Sequence, residues 1–459
     1  MGLIMEDAIE ALADHVIETK LEDIPSSSIR AAKTYILDTI GVGLAGSIGP
    51  YVEELVSTFG NSVIDPKNSA RVIGQNIRLS PGKAALLNGF QIHNSEFDCV
   101  HEEAVVHTMT VLLATLLADA DKRGGVTGET LIRASVLGVD VACNLGVAAS
   151  SALQFFRPAT AGAFAAVVAV ACARGFDKDR LLRAFSLAYI QLSGTMQAHT
   201  EGSSLLALQI GLNAQNALTA CDLADNGLPG LKGILEGRFG YFGLIEATGD
   251  IHFVLPTLKQ NWRINEVAHK PFPSGRATHG IVDAIRELQM HNEIDATEVV
   301  RLEARVPSLI NHLVGRPVHD KMEISYARLN GQYAAAVMLQ NKFIGIHDYT
   351  NEAIRNKTSI DLAKKVEIIV NDNPDPNALS PIEIDIFMQN GQKLSKRIET
   401  VYGNPQKPLS REEHLTKFRR NWQVAKVGLI KEDSEKLIAL VDNLESVADI
   451  RGLIDLVTG

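Results

Sequence analysis

The stretch TAGAFAAVVAVACARG, residues 160–175, decides the fold of the region around it. Its side chains are small and apolar in every direction, and a helix without a polar face has to lie inside the protein. Alanine and glycine also let neighbouring helices approach closely. We therefore expect a dense helical bundle with this segment in its interior, rather than a sheet core.

Similar sequence extends from the N-terminus to about residue 265. Within residues 29–45, Tyr35, Ile36 and Ile40 share one broad apolar face at helical spacing. The glycines of GVGLAG, residues 41–46, lie inside this helical pattern. Because no Gly-x-Gly-x-x-Gly follows a strand, they indicate close helix packing rather than a dinucleotide-binding turn.

The pattern changes after Pro271. Residues 298–307 alternate apolar and charged side chains, which predicts a strand with one face in water. Further strands are predicted at 365–370, 382–389 and 393–399, the last two joined by an Asn-Gly turn, and helices at 278–288 and 333–340. From Ser410 the pattern is helical again, and Ser410 and Glu413 have the spacing of a capping box.

The predicted fold class is therefore mainly α with an α+β part. We expect a large all-helical domain, formed discontinuously by residues 1–267 and 406–459, and a smaller α+β domain of residues 268–405.

Composition excludes several classes of protein. The 459 residues carry 44 Lys+Arg against 54 Asp+Glu, a formal net charge of -10, which argues against nucleic-acid and anionic-membrane partners. The four cysteines have no metal-ligand spacing and indicate reduced thiols. Residues 1–15 lack a basic stretch before an apolar run, and the least polar windows, 141–156 and 158–173, are shorter than the roughly 20 residues of a bilayer span. We expect two buried core helices there and a cytoplasmic protein.

The segment HNSEFDCVHEEAVVH, residues 93–107, combines three histidines with several carboxylates. Proton transfer near neutral pH needs this combination, an imidazole and a partner that orients it. A solvated acidic loop is the alternative interpretation. A metal site is a third, but His93, His101 and His107 are eight and six residues apart and match no compact ligand pair, so we expect no metal.

The segment KPFPSGRATHGIVDA, residues 270–284, lies where the two patterns meet. Ser274 or Thr278 would cap the following helix, with Lys270, Arg276 and His279 around its N-terminus. Fixed cations and helix-end amides suit a carboxylate. The alternative is an ordinary linker followed by a capped helix.

Together with other blocks, these two segments resemble the MmgE/PrpD family. The blocks occur in family order: AAKTYILDTIGVGLAG (31–46), AALLNGFQIHNSEFD (84–98), GVTGETLIRASVLGVDVACNLG (125–146), SGTMQAHTEGS (193–203), PFPSGRATHGIVDA (271–284) and, more loosely, SYARLNGQYAAAVML (325–339). The resemblance implies a helical domain, an α+β lid domain, a homodimer, and a site between the domains that uses no cofactor. It also implies removal of a proton next to a carboxylate, followed by loss of water, loss of CO2 or return of the proton.

Carried over by position, the resemblance makes Glu96, Asp98, His107 and Lys270 the catalytic candidates. Two positions depart from the family: Arg157 stands where members have a histidine, and Leu206 where they have a lysine. We expect Arg157 to bind a carboxylate, and Leu206 to favour a substrate with fewer carboxylates or an apolar group. The remaining substrate-binding candidates are Gln209, Arg276, His279, Ser274 and His101.

The expected function is a lyase of the 2-methylcitrate dehydratase type acting on a small carboxylic acid. An epimerase of the same family is the alternative, and an inactive binding protein is the third possibility.

Overall fold

The computed structural model describes residues 7–60, 65–375 and 378–458. Residues 1–6 of the N-terminal stretch interpreted above lie outside the described residues. The α-helices of the described chain are α1 Ala8–Glu18, α2 Ser26–Gly46, α3 Val52–Phe59, α4 Pro81–Asn94, α5 Thr110–Arg123, α6 Gly128–Ala148, α7 Arg157–Arg174, α8 Lys178–Tyr189, α9 Gln197–Glu201, α10 Leu205–Asp225, α11 Tyr241–Leu244, α12 His279–His291, α13 Ser308–Val314, α14 Ile324–Arg328, α15 Gly331–Asn341, α16 Lys357–Ala363, α17 Arg411–Gln423, α18 Lys431–Asp442 and α19 Arg451–Val457.

The strands of the described chain form one four-stranded sheet and two short pairs. They are β1 Ala70–Arg71, β2 Arg78–Leu79, β3 Val100–His101, β4 Val267–Ala268, β5 Val299–Val306, β6 Val366–Val370, β7 Ile382–Met388 and β8 Lys393–Ile398. In the larger sheet the order is β6-β5-β7-β8, with β5 and β6 parallel and the other pairs antiparallel. The fold class expected from the sequence, mainly α with an α+β part, is confirmed.

Helix α7 occupies the interior of the bundle, as its small apolar residues predict. It packs against α5, α6, α8 and α10, and its residues from Arg157 to Ala171 are buried. Close approach is also visible between α2 and α4, where the backbone of Gly46 meets that of Gln91. The GVGLAG stretch is therefore helical and serves packing, as expected.

The α+β part follows the predicted pattern closely. The strands coincide with the alternating segments, Gly391 takes a positive φ of 84° in the turn between β7 and β8, and α12 and α15 pack on the sheet. The capping box of Ser410 and Glu413 is present at the start of α17.

Two local predictions are wrong. Residues 141–156 do not form one core helix, because α6 ends at Ala148 and the hydroxyl of Ser150 bonds that of Thr248 in the loop that follows. The cap expected from Ser274 or Thr278 is also absent. Their hydroxyls bond each other at 2.7 Å, and Thr278 donates to the oxygen of Gly275, so neither reaches the amides of α12.

One helix of the described chain, Gly128–Ala148, is long and apolar enough to cross a bilayer. However, 89% of its apolar window is buried within the protein, and the core helices of globular proteins pass the same test.

In the part of the chain that the structure describes, the buried apolar side chains form two clusters. The larger one contains the helices up to α11 together with Phe418 and Trp422 of α17, and the smaller one contains the sheet with α12 and α15. The strands β3 and β4 pair next to the junction, with Val100 opposite Ala268. The domain boundaries at 267/268 and 405/406 stay a prediction.

The contact of α2 with α4 yields a test. A Cβ on Gly46 would overlap the backbone oxygen of Gln91, whereas one on Gly452 meets nothing within 4 Å. We expect Gly46→Ala to lower the free energy of unfolding by more than about 2 kcal/mol, since backbone has to move. Gly452→Ala, the control within α19, should raise it by up to about 1 kcal/mol. Urea denaturation measures both, and equal effects would contradict this packing.

Candidate functional site

The short β3/β4 pair brings the two segments of the site together. The segment between α4 and α5 carries Glu96, Asp98 and His107, and β3 lies within it. Antiparallel pairing of His101 with Val267 places the residues after β4 against this segment. As a result Lys270, 174 positions from Glu96, comes within hydrogen-bond distance of it.

Asp98 is the centre of the polar cluster. It is fully buried, and its Oδ2 accepts from Nδ1 of His93 at 2.9 Å and from the hydroxyl of Thr110 at 2.6 Å. Nδ1 of His107 lies 3.0 Å from the same oxygen. One carboxylate oxygen thus orients His93 by a hydrogen bond and lies within ion-pair distance of His107, so both imidazoles depend on the charge of Asp98.

Glu96 lies beside this cluster in a left-handed backbone conformation, with a φ of 50°. That conformation is costly for a residue with a side chain, and such strain concentrates at functional sites. Its Oε2 accepts from Nζ of Lys270 at 3.0 Å, and its Oε1 lies 3.4 Å from Nε2 of His93. The fully buried ammonium of Lys270 also donates to the backbone oxygen of Glu96.

The charges around these groups keep both carboxyls ionised. Burial favours the neutral form of Asp98, but His107 and His93 outweigh it and hold the pKa of that carboxyl well below its usual range. Burial likewise opposes ionisation of Glu96, but Lys270 and His93 bring its pKa down to about 2.

The pKa values of the two imidazoles shift in opposite directions. For His93, burial lowers the pKa, but Asp98 and Glu96 outweigh burial and the net shift is upward. For His107, burial dominates and the pKa falls below its ordinary value despite Asp98. The pair is therefore unequal: His93 retains a proton more readily, and His107 releases one more readily.

A cavity of about 80 Å³ lies against His107, between the helical part and the α+β part. One water needs roughly 10–15 Å³ on this measure, so the space suits a small molecule. Polar side chains at its wall are Glu96, Glu102, His107, His199 and Arg276, and the rest is largely apolar: Val100, Val105, Leu153, Phe156, Pro158, Met196, Leu206, Leu309, Leu313, Val314, Leu329 and Leu379. A larger groove of about 670 Å³ runs along α17, but His107 does not line it.

Two buried clusters among the described residues have the geometry to hold a metal ion. His93, Asp98 and His107 form one, and Asp38, His269 and His414 form the other. The spacing argument from the sequence considered His93, His101 and His107. In the structure Asp98, and not His101, lies next to the other two histidines. In each cluster the positive charge of a lysine would repel a metal ion. Nζ of Lys270 lies 4.0 Å from Asp98, and Nζ of Lys417 lies 2.7 Å from Asp38. We therefore interpret the first cluster as a proton-transfer group.

Arg157 does not fulfil the role expected of it. Its guanidinium donates twice to Glu246, at 2.9 and 2.7 Å, and once to the backbone oxygen of Ala104. These bonds are buried, and the hydroxyl of Tyr241 also donates to Glu246. The donors of Arg157 are thus engaged in a structural ion pair and do not line the cavity.

Of the other substrate-binding candidates, Leu206 and Arg276 do line the cavity. Arg276 is held by Glu102 at 2.6 Å and by the backbone oxygen of Tyr402.

Four candidates make contacts elsewhere. His101 lies 2.9 Å from Glu266, and Gln209 accepts from the backbone N–H of Thr195. The ring of His279 lies 3.1 Å from the backbone oxygen of Ser274, and the hydroxyl of Ser274 bonds that of Thr278.

Sequence reasoning missed His199 as a site residue, although it quoted the block that contains it. His199 lines the same cavity as His107 and lies in α9. Sequence reasoning also left His93 out of the catalytic set, although the clustering of histidines pointed to it. The contact of His93 with Asp98 is what places His93 in the site, and this contact forms only in the folded protein.

The buried pair of Arg157 and Glu246 yields a stability test. Arg157→Met should lower the free energy of unfolding by about 3–5 kcal/mol, because Glu246 then stays buried and unpaired. The double variant with Glu246→Leu should lose less than the single variant, since it leaves no buried charge. Urea denaturation measures both. If the single variant folds normally but binds carboxylate ligands weakly, Arg157 binds substrate and its interpretation as a structural residue is wrong.

The buried His199 yields a pH test. Burial lowers its pKa to about 4, and Arg316 acts in the same direction. Between about 6.5 and about 4 the unfolded chain therefore binds a proton that the folded chain does not. From this group we expect the free energy of unfolding to fall, as the pH drops through that window, by up to about 1.4 kcal/mol per pH unit.

Urea denaturation at several pH values measures this slope. His199→Gln should reduce it, and the control at the exposed His291, His291→Gln, should keep it. An unchanged slope in His199→Gln would contradict the neutral, buried state of this imidazole.

Comparison with known proteins gives consistent results over the whole chain. The MmgE/PrpD N-terminal domain model matches residues 10–253, and the MmgE/PrpD C-terminal domain model matches residues 272–446. A cis-aconitate decarboxylase of Mus musculus is 28% identical over 479 residues, covering 100% of this chain and 94% of the relative. The cis-aconitate decarboxylase of Homo sapiens is 29% identical, with 100% and 96% covered, and that of Aspergillus terreus is 26% identical, with 95% and 92% covered.

Proposed function

The chain belongs to the MmgE/PrpD family, and from this premise we propose that it releases CO2 from a small unsaturated carboxylic acid without a cofactor. That it is an enzyme, and a lyase, follows from relatives that match it over nearly their full length. The choice of decarboxylation over dehydration, and the substrate, are the proposal.

The observation that carries the proposal is the contrast between the two sides of the cavity. His107, which lies 3.0 Å from Asp98, lines the cavity together with a wall formed mainly by aliphatic and aromatic side chains such as Leu206 and Phe156. An apolar wall solvates a localised carboxylate charge poorly, and it favours a transition state in which that charge spreads out. Loss of CO2 has such a transition state. Loss of hydroxide would instead create a localised charge that needs a second acid.

The reaction requires one proton. When the bond between carbon and the departing carboxylate breaks, CO2 leaves and the electron pair remains on carbon, spread over the neighbouring double bond. His107 then donates a proton to that carbon and regains one from water. Because a nearby anionic substrate raises the pKa of an imidazole, substrate binding favours the protonated form of His107. The ammonium of Lys270 and the guanidinium of Arg276 stabilise the developing negative charge.

The experiment follows the proton and the CO2 together. The protein is incubated in heavy water with a panel of small unsaturated and hydroxy acids that includes cis-aconitate, and products are followed by NMR and by CO2 release. We expect CO2 with one deuterium in the product. His107→Gln should reduce the rate by about 10²–10⁴-fold with the fold retained. The control is His252→Gln, at a partly exposed histidine that pairs with Glu236.

Each other outcome contradicts the proposal in its own way. Deuterium exchange without CO2 would indicate the epimerase alternative. An unsaturated product from a hydroxy acid would indicate dehydration. Binding without exchange or turnover of any acid would indicate a protein that only binds, and full activity in His107→Gln would remove His107 from the mechanism.

A further inference from the structure

The backbone between Glu96 and Asp98 is held at two consecutive oxygens, each by a buried ammonium. The oxygen of Glu96 accepts from Nζ of Lys270 at 3.1 Å, and the oxygen of Phe97 accepts from Nζ of Lys417 at 2.9 Å. Lys270 lies two residues after β4, whereas Lys417 lies on α17, which packs on α2. The segment that carries both carboxylates is therefore fixed from two distant parts of the chain.

The ammonium of Lys417 is almost entirely removed from water. Its side chain is 5% exposed, and Nζ pairs with Asp38 at 2.7 Å. The same nitrogen lies 4.0 Å from the centre of the ring of Phe97. Since apolar residues of similar volume often stabilise a fold at least as well as a buried ion pair, stability alone does not account for a lysine at this position.

Asp38 and His269 connect the two lysines. Nε2 of His269 lies 2.9 Å from Oδ1 of Asp38, the oxygen that also pairs with Lys417. Because His269 immediately precedes Lys270, these contacts close a circuit through both lysines and the backbone that they hold. Burial opposes ionisation of Asp38, but His269 and Lys417 outweigh it and hold the pKa of that carboxyl well below its usual range. The circuit thus contains an ionised carboxylate that favours the charged form of Lys417.

The conformation of Glu96 explains why the backbone needs this support. A residue with a side chain keeps a φ of 50° only where the surrounding structure imposes it. The oxygens of Glu96 and Phe97 belong to the two peptide groups that separate Glu96 from Asp98, so the two lysines fix both peptide planes. The place of Asp98, and with it the 3.0 Å distance to His107, depends on these two bonds.

We propose that Lys417 is a positioning residue of the reaction, which holds the peptide group before Asp98 and thereby sets the place of that carboxylate beside His107. Lys417 lines the larger groove along α17 and not the cavity at His107, so it acts through Asp98 and not on the substrate. A displacement of about 1 Å at a reacting group can cost about 10²-fold in rate. The proposal rests on the proposed function for the reaction that is measured, but the place of His107 can be followed without substrate.

Lys417→Met keeps the length of the stem and removes the donor and the charge. We expect kcat for CO2 release to fall by about 10- to 100-fold with KM nearly unchanged, because the substrate contacts remain. The control is Arg420→Ala, at an exposed arginine of α17 that lines the same groove and lies over the ring of Phe343. It should leave kcat unchanged.

Lys417→Ala allows chemical rescue through the groove that Lys417 lines. n-Propylamine matches the carbons and the ammonium that this substitution removes, and it should restore much of the lost kcat. tert-Butylamine carries the same charge but is too wide for the space of the lysine stem, and it should restore nothing. Lys417→Met, whose side chain fills that space, should not respond to either amine. A residue that serves only packing would not show this dependence on the shape of the amine.

A ring resonance of His107, assigned by its loss in His107→Gln, reports the place of this imidazole by NMR without substrate. It should move in Lys417→Ala, return with n-propylamine and stay in place in Arg420→Ala. Circular dichroism checks the fold of each variant. If Lys417→Met does not fold, the double variant Asp38→Asn/Lys417→Met replaces it, with the same expected loss of kcat, because it removes both charges of the pair.

Normal kcat in a folded Lys417→Met protein overturns the positioning role, and so does an equal loss of kcat in Arg420→Ala. If the wild type releases CO2 and the His107 resonance is unchanged in the Lys417 variants, the positioning role fails and the proposed function stands. Conversely, if that resonance moves and returns with n-propylamine in a protein that releases no CO2 from any acid, the positioning role is supported and the proposed function is overturned.

Discussion

The pairing of Val100–His101 with Val267–Ala268 is the constraint on which the site depends. It is only two residues long, yet it fixes the segment after α4 against the segment that enters the α+β part. Glu96 and Lys270 can form a buried ion pair only in this register. The hydroxyl of Tyr35 donates to the oxygen of Val267 and attaches the same pair to α2. The helical core, the segment that enters the α+β part and the segment that carries Glu96 therefore share one set of contacts.

This arrangement determines the electrostatics of the site. Asp98 is ionised because two imidazoles face one of its oxygens. The imidazoles differ from each other because Asp98 and Glu96 outweigh burial at His93, whereas burial dominates at His107. The apolar wall around Leu206 and Phe156 keeps these interactions strong, since little water is present to screen them. The cations Lys270 and Arg276 come from the side of the α+β part, where they pair with Glu96 and Glu102.

Much of the fold was predictable because it depends on local pattern. The period of the apolar residues predicted α2, α7 and the strands β5 to β8, and the spacing of Ser410 and Glu413 predicted their capping box. The errors occurred where side-chain hydrogen bonds, and not the apolar pattern, accompany the local structure. Helix α6 ends at Ala148, and the hydroxyl of Ser150 in the following loop bonds that of Thr248, whereas the hydroxyls of Ser274 and Thr278 bond each other instead of capping α12. The period of the apolar residues carries no information about these hydrogen bonds.

For the site, the sequence by itself determined the chemistry available: clustered histidines and carboxylates at 93–107, a basic segment at 270–284, and an aliphatic residue at Leu206. Only the tertiary structure decided which of these groups act together. It paired Arg157 with Glu246 inside the bundle and Lys270 with Glu96 beside the polar cluster. The physical reason is that the cost of burying a charge depends on its neighbours, and the neighbours of a buried group come from distant parts of the chain.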